Sequence, residues 1–323
     1  MPSLTTSLRT ITTSLRTITF VGRVLGRVLG ALPLTPNDDP EASALVGAAE
    51  DAWHAGRHEE ARRLFRQAVE RRKNDVRALR GLRDLTVEME AWLEALGVEE
   101  RLIGIVAGAE RSAETTWLAT IHYELGRADT RGGRPASAIG HFKNALKAEP
   151  GFVPAALALG DALEAGGDAK EAIKTWERTA EQNPTLAVLA RLERVYRQEG
   201  RPSRMIALYR AAVDRAPDDL ALAVALGRVY FELEMLDEAA DQFEKIEVRA
   251  PDLPVVHAFL GAVFERRGET REAFAEYRRA LRLGDAFDWP HACTACGAPS
   301  PAWQDRCPRC RRWNTVRPAP PRR

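Results

Sequence analysis

The sequence predicts an all-α solenoid of about seven helical hairpins, finished by a small metal-binding knuckle. Three observations predict it. A motif recurs with a period of about 34 residues through the middle of the chain, the length of a helix–turn–helix repeat. Aromatics are scarce (7%) beside abundant charge (29%), and all four cysteines sit in one stretch near the C-terminal end. Repeats of this length are supersecondary units that bury their apolar faces only against neighbours. The charge-rich, aromatic-poor balance favours helices over sheet. A net charge of +1 offers no basic excess for nucleic acid, which is not expected as a partner.

Positions 1–40 read as a separate leader. TTSLRTI at 5–11 is repeated at 12–18, and GRVL at 22–25 recurs at 26–29. Arg9, Arg16, Arg23 and Arg27 stand among residues 1–37 without a single acid. On a helix, Leu8, Ile11, Leu15, Ile18, Leu25, Leu29 and Leu32 share one stripe. Such a basic amphipathic segment can lie in a membrane interface with its arginines on anionic headgroups. A disordered leader is the other reading, because Thr, Ser and Gly depress helix propensity. The apolar stretch from Phe20 to Leu34 is interrupted by two arginines and falls short of the roughly 20 residues that span a bilayer. No transmembrane helix is therefore expected, and residues 1–37 are candidates for contact with a membrane surface.

The repeats occupy 41–284. A small residue is followed four positions later by an aromatic in Ala61–Phe65, Ala138–Phe142, Ala172–Trp176, Ala239–Phe243 and Ala273–Tyr277, with Met205–Tyr209 as a variant. From Ala138 to Ala273 these anchors keep a nearly constant spacing, one step being shorter than the rest by a single position. Twelve positions beyond them come Pro150, Pro184, Pro217 and Pro251; twelve before come Gly126, Gly160, Gly227 and Gly261. Small residues let the two helices of a repeat approach closely, the aromatic is expected to fill the gap to the next repeat, and proline ends one helix and starts the next. The second repeat, near 76–109, keeps Ala95 in phase but lacks the aromatic and the proline. About nine extra residues follow it, as longer helices or a loop around 105–116.

This pattern resembles the tetratricopeptide repeat, which runs L-G-x2-Y, A-x3-F and P over about 34 residues. The resemblance covers about 42–284. It implies protein-binding scaffolds with a concave face lined by the first helix of each pair. On that register the face carries Arg127, Arg131, Asp161, Glu164, Arg194, Arg197 and Arg228, with Glu265 and Arg266 beyond. Its arginine-rich centre would suit an acidic segment or a chain carboxylate. The plainer reading is a set of ordinary solvated charges.

Residues 285–316 form the knuckle, and 317–323 read as a disordered tail. Cys293 and Cys296, then Cys307 and Cys310, make two CxxC pairs that can grip one ion from two tight turns. A unit this small has almost no core without its metal. Zinc is the expected ion, with iron as the alternative. Thiols used this way point to a reducing compartment rather than a disulfide framework. Phe287 and Trp289 are expected to pack the knuckle on the last repeat, and Trp303 and Trp313 to cover the metal. Arg306, Arg309, Arg311 and Arg312 would offset its net negative charge.

No catalytic constellation accompanies these parts. The sequence contains no phosphate loop, dinucleotide fingerprint, nucleophile elbow or HExxH motif. His54, His58, His122, His141, His257 and His291 are scattered, and Gly56 separates the first two at an expected helix–helix turn. Four thiolate ligands leave a metal no open position for substrate. The chain is expected not to be an enzyme. An iron-loaded electron carrier or a nucleic-acid-binding ribbon on a repeat scaffold is the alternative function.

Repeats followed by C-x2-C-G-x10-C-P-x-C-x2-W, here Cys293, Cys296, Gly297, Cys307, Pro308, Cys310 and Trp313, resemble the lipopolysaccharide assembly protein B family of Gram-negative bacteria. That resemblance spans about 42–316. It implies a non-enzymatic adaptor at the cytoplasmic face of the inner membrane. There it helps a membrane-bound AAA+ protease degrade the deacetylase that commits carbon to lipid A, with the metal tail docked on the repeats. The family carries an N-terminal transmembrane helix and more repeats; residues 1–37 supply only the basic leader. A cytoplasmic protein, peripheral on the inner face of that membrane, is the resulting expectation.

Overall fold

The structure, a computed structural model, describes residues 39–283 and 291–319. Most of the expected leader, the aromatics Phe287 and Trp289, and residues 320–323 lie outside the described residues. Fourteen helices are present among the described residues, in the succession expected for seven pairs. They are α1 (Pro40–His54), α2 (His58–Arg71), α3 (Val76–Glu88), α4 (Trp92–Ile105), α5 (Gly108–Arg131), α6 (Pro135–Ala148) and α7 (Val153–Ala165). There follow α8 (Ala169–Gln182), α9 (Leu186–Gln198), α10 (Pro202–Arg215), α11 (Leu220–Glu232), α12 (Leu236–Arg249), α13 (Pro254–Arg267) and α14 (Thr270–Leu283). None is long and apolar enough to cross a membrane.

The chain forms two compact units that divide between Leu85 and Thr86. In the first, α1 and α2 pack as a hairpin, with Ala61 and Phe65 fully buried. In the second, α5/α6, α7/α8, α9/α10, α11/α12 and α13/α14 pair in the same way, and each pair packs on the next. The anchors form its spine: Ala138, Ala172, Met205, Ala239 and the aromatics Phe142, Trp176, Tyr209 and Phe243 are all buried.

Local chemistry sets the ends of these helices. Asp39 and Asp219 cap α1 and α11, each side chain accepting two backbone N–H groups. Pro40, Pro135, Pro202 and Pro254 open their helices, where the missing N–H costs nothing. Each hairpin turn needs one residue in the left-handed region. Gly56, Gly133, Gly167, Gly200 and Gly268 supply it in five turns, while Glu90 and Glu234 supply it in the other two. These positions mark seven repeats among the described residues. Their spacing widens only between Glu90 and Gly133, and the extra chain there has become helix: α5 runs for 24 residues.

The glycines twelve before each anchor let helices approach within touching distance of a ring. A Cβ on Gly126, Gly160, Gly227 or Gly261 would come within 2.1–2.7 Å of Phe142, Trp176, Phe243 or Tyr277 respectively. Each of these rings therefore seats on the first helix of its own repeat, where the sequence suggested it reached toward the next. Phe65 is the exception, lying against Gly81 of α3. In the fifth repeat the glycine slot holds Glu193.

After α14 the chain forms a three-stranded antiparallel sheet in the order β2–β1–β3, from β1 (His291–Cys293), β2 (Pro299–Ser300) and β3 (Val316–Pro318). Arg317 and Pro318, read from sequence as tail, pair with Ala292 and His291 and belong to the knuckle.

Candidate metal centre

Two matching turns build the site. In the first, the N–H of Gly297 donates to the carbonyl of Cys293 at 2.9 Å. In the second, the N–H of Arg311 donates to that of Cys307 at 3.0 Å. Both Gly297 and Arg311 take positive φ, so the two CxxC segments curl alike although only one ends in glycine. The strand β1 carries Cys293 next to Val316 of β3, and the N–H of Cys307 donates to the Arg312 carbonyl. These contacts bring the two turns face to face.

The four sulfurs lie within 4.8 Å of one another. Cys293 Sγ is 3.7 Å from Cys310 Sγ, and Cys296 Sγ is 3.8 Å from Cys307 Sγ. Tetrahedral ligation with metal–sulfur bonds of about 2.3 Å requires sulfurs about 3.8 Å apart. The residues therefore fit one four-coordinate ion with no position left over. Cys293 and Cys307 are buried, and Ala298 and Val316 complete the apolar wall.

The electrostatics favour thiolate at Cys293 and Cys307 and oppose it at Cys310. Burial pushes the Cys293 thiol up. The Thr315 hydroxyl, 3.2 Å away, and the N–H groups of Ala295 and Cys296 outweigh that and bring it down to about 6. The N–H of Cys310 holds the Cys307 thiol below its usual range. At Cys310 the N–H of Arg312 helps the thiolate, but burial and the three neighbouring sulfurs prevail and push it up to about 11. Four thiols this close cannot all ionise unaided. A divalent cation removes the conflict by accepting all four as thiolates.

The tryptophans do something other than expected. Trp303 and Trp313 pack on the hydrophobic core of the repeats, and neither joins the apolar wall around the sulfurs. Trp313 meets Tyr123 of α5 edge to face at 5.6 Å, and Arg306 lies 5.0 Å over the Trp313 ring. The Tyr123 hydroxyl donates to Asp305 at 2.9 Å, and Arg127 stands 3.5 Å from the same oxygen. Burial, then the Asp305 charge, holds the Tyr123 phenol firmly protonated. Farther along, His291, Trp303, Arg317 and Pro318 face Pro184, Leu186 and Asp219 across a cavity of about 180 Å³. Arg306 also donates to the Arg311 carbonyl, while Arg309, Arg311 and Arg312 are exposed. The knuckle is thus seated on the repeats by aromatic and acid–phenol contacts that no sequence period announces.

Most of the charges expected on the partner-binding face are committed to one another. Asp161 receives Arg191, and Glu164 receives Arg194, each from the neighbouring repeat and each through two oxygens. Arg197 and Arg228 converge on Glu193 and Glu232, Arg266 pairs with Glu234, and Glu265 accepts from the Tyr277 hydroxyl. Arg127 is shared with the knuckle, and Arg131 is exposed at the end of α5. The arginine-rich centre is largely an internal ion-pair ladder.

Glu193 anchors that ladder. Arg228 donates to both of its oxygens at 3.0 and 2.7 Å, Arg197 at 2.7 Å, and the Tyr209 hydroxyl at 2.5 Å. Burial raises its carboxyl, but these donors win and bring it down to about 2. The signal was present in the sequence as an interruption: this slot is glycine in the third, fourth, sixth and seventh repeats. The scattered histidines are also regrouped. His54 and His58 sit on separate helices, but His122 and His141 meet nitrogen to nitrogen at 3.2 Å. Burial, followed by the His141 charge, lowers His122 to about 4.

Comparison with known proteins agrees with both parts. Family models of the tetratricopeptide repeat match residues 131–194, 196–263 and 42–67, and a rubredoxin metal binding domain matches 291–318. Lipopolysaccharide assembly protein B of Haemophilus influenzae is 25% identical over 302 residues, covering 90% of this chain and 74% of that protein. Its counterpart in Escherichia coli K12 is 22% identical over 289 residues, covering 85% and 70%. Among solved structures, the crystal structure of MamA protein is 23% identical with a TM-score of 0.38, covering 53% of this chain and 92% of that one. The resemblance to lipopolysaccharide assembly protein B extends across repeats and metal-binding tail alike.

Proposed function

We propose that the protein is a non-enzymatic adaptor that regulates lipopolysaccharide synthesis by presenting an envelope-synthesis enzyme to a protease. In this reading the repeats hold a protein segment, and the knuckle, loaded with one zinc ion, fixes the surface around Tyr123 and Arg127. The observation that carries it is the seating of a four-thiolate knuckle on a tetratricopeptide array, in a chain similar to lipopolysaccharide assembly protein B through both parts. Such repeats expose long surfaces suited to binding extended segments. The four sulfurs make a closed site, which supports a structural rather than a reactive ion.

The client is the deacetylase committed to lipid A and the protease a membrane AAA+ enzyme, acting at the inner face of the inner membrane. Residues 1–37 are assigned to contact with that membrane. Partners bind the first-helix face outside the area the knuckle covers, with Arg131 among the residues available there.

The test is crosslinked co-purification of the full chain from cells, followed by measurement of deacetylase half-life with and without the protein. Recovery of the protease and a longer half-life on deletion are expected. Recovery of ribosomes or RNA alone would refute the reading. Metal analysis and an absorption spectrum decide the ion: zinc is colourless, whereas rubredoxin-like iron is strongly coloured and cycles between oxidation states.

A further inference from the structure

Sixteen positions before each anchor and three after it, the two helices of a repeat face each other. In the fourth, fifth and sixth repeats this slot holds Ala156 with Thr175, Leu189 with Leu208, and Ala223 with Gln242. In the seventh it holds His257 of α13 and Glu276 of α14, and Glu247 of α12 reaches the same place. The histidine is completely buried. Its Nε2 lies 2.6 Å from the Pro251 carbonyl, which has only lone pairs to offer, so Nε2 carries the hydrogen. Nδ1 then points at the two carboxylates, 2.6 Å from Glu276 Oε2 and 4.0 Å from Glu247 Oε1.

We propose that His257, Glu247 and Glu276 form a second metal site, separate from the four cysteines, that takes a divalent first-row transition ion. An imidazole held by a backbone carbonyl through one nitrogen, with the other free to coordinate, is the arrangement that fixes the tautomer of metal-binding histidines. The three ligand atoms lie within 4.8 Å of one another. That range brackets the roughly 3.0–3.5 Å between ligands whose bonds to a metal are about 2.0–2.2 Å. The 2.6 Å contact between Nδ1 and Oε2 is the one the ion would open, taking both atoms as ligands. Arg279, 2.7 Å from Glu247 Oε1 and 3.6 Å from Glu276 Oε1, is the counter-charge it would partly replace. Nitrogen and carboxylate donors suit zinc, cobalt or nickel and are a poor match for the softer ions that thiolates select. The ion would clasp three successive helices, α12, α13 and α14, at the end of the array.

Cobalt(II) titration of the full chain reads the two sites separately, because only the cysteine site gives intense sulfur-to-metal charge-transfer absorption. Two equivalents per chain are expected, the second without that band. His257→Gln and Glu247→Gln should each weaken the second equivalent by more than about tenfold and leave the sulfur band intact. Glu247 is partly exposed, so its substitution spares the packing that His257 provides. A single equivalent in the unsubstituted protein would overturn the proposal. So would a second equivalent that survives both substitutions, or one lost instead in His141→Gln, which would place it at the paired imidazoles of the third repeat.

Discussion

Replacing Glu193 by glutamine keeps the shape of the side chain and removes its charge. Arg228, Arg197 and Tyr209 would then face an amide that accepts through one oxygen instead of two, and whose NH2 group opposes the Arg228 fork. The magnitude follows from the carboxyl's displacement. It titrates at about 2 in the fold, whereas an unfolded glutamate titrates near 4.3, and each unit is about 1.4 kcal/mol. The interaction is therefore worth about 3 kcal/mol as an upper figure, and about 2 after allowing for the partly exposed Arg228. Because the folded value is the lower one, this stability is complete above the unfolded value and drains away as pH falls from about 4.3 toward 2. Urea unfolding by far-UV circular dichroism at pH 7 and at pH 3 measures it. Glu193→Gln should be less stable by about 2 kcal/mol or more at pH 7, with the gap closing as the pH is lowered. A gap that stays constant with pH would mean that lost packing, not lost charge, causes it. No gap at all would show that the ladder adds nothing.

Three further outcomes are expected. Gly160→Ala should lower the melting temperature: its methyl would stand 2.1 Å from Trp176 Nε1, and overpacking of about 1–3 kcal/mol outweighs a helix-propensity gain of about 1. Glu90→Gly should raise stability by about 0.5–1 kcal/mol in thermal melts, because the left-handed turn favours glycine, as five sister turns already show. Cys307→Ser should abolish stoichiometric metal binding at the cysteine site and shift Trp303 and Trp313 fluorescence to the red as the knuckle leaves the repeats, while far-UV helicity stays largely in place. Collapse of the helical signal in that variant would show instead that the knuckle holds the array together.

The repeats and the cysteine cluster were legible along the chain because each rests on local rules. Alanine and aromatic at fixed spacing seat one helix on another, and two CxxC turns need only their own backbone to curl. Even the insertion before the third repeat could be placed, although whether it formed loop or helix depended on the extension of α5. The uses of individual polar side chains were not legible. Arg194 and Arg228 looked like free cations on a binding face, but their partners stand 30 and 35 residues away on adjacent helices. Trp303 and Trp313 looked like a cover for the metal because they flank it in sequence. The repeats offered a larger apolar surface, and the rings went there. His257 and Glu276 look unrelated until helix packing places them side by side. Periodicity by itself determined that helices pair and stack and that four sulfurs meet. Only tertiary structure decided which charges cancel, where the knuckle rests and which histidines find carboxylates, because those pairings depend on side chains brought together across helices rather than along them.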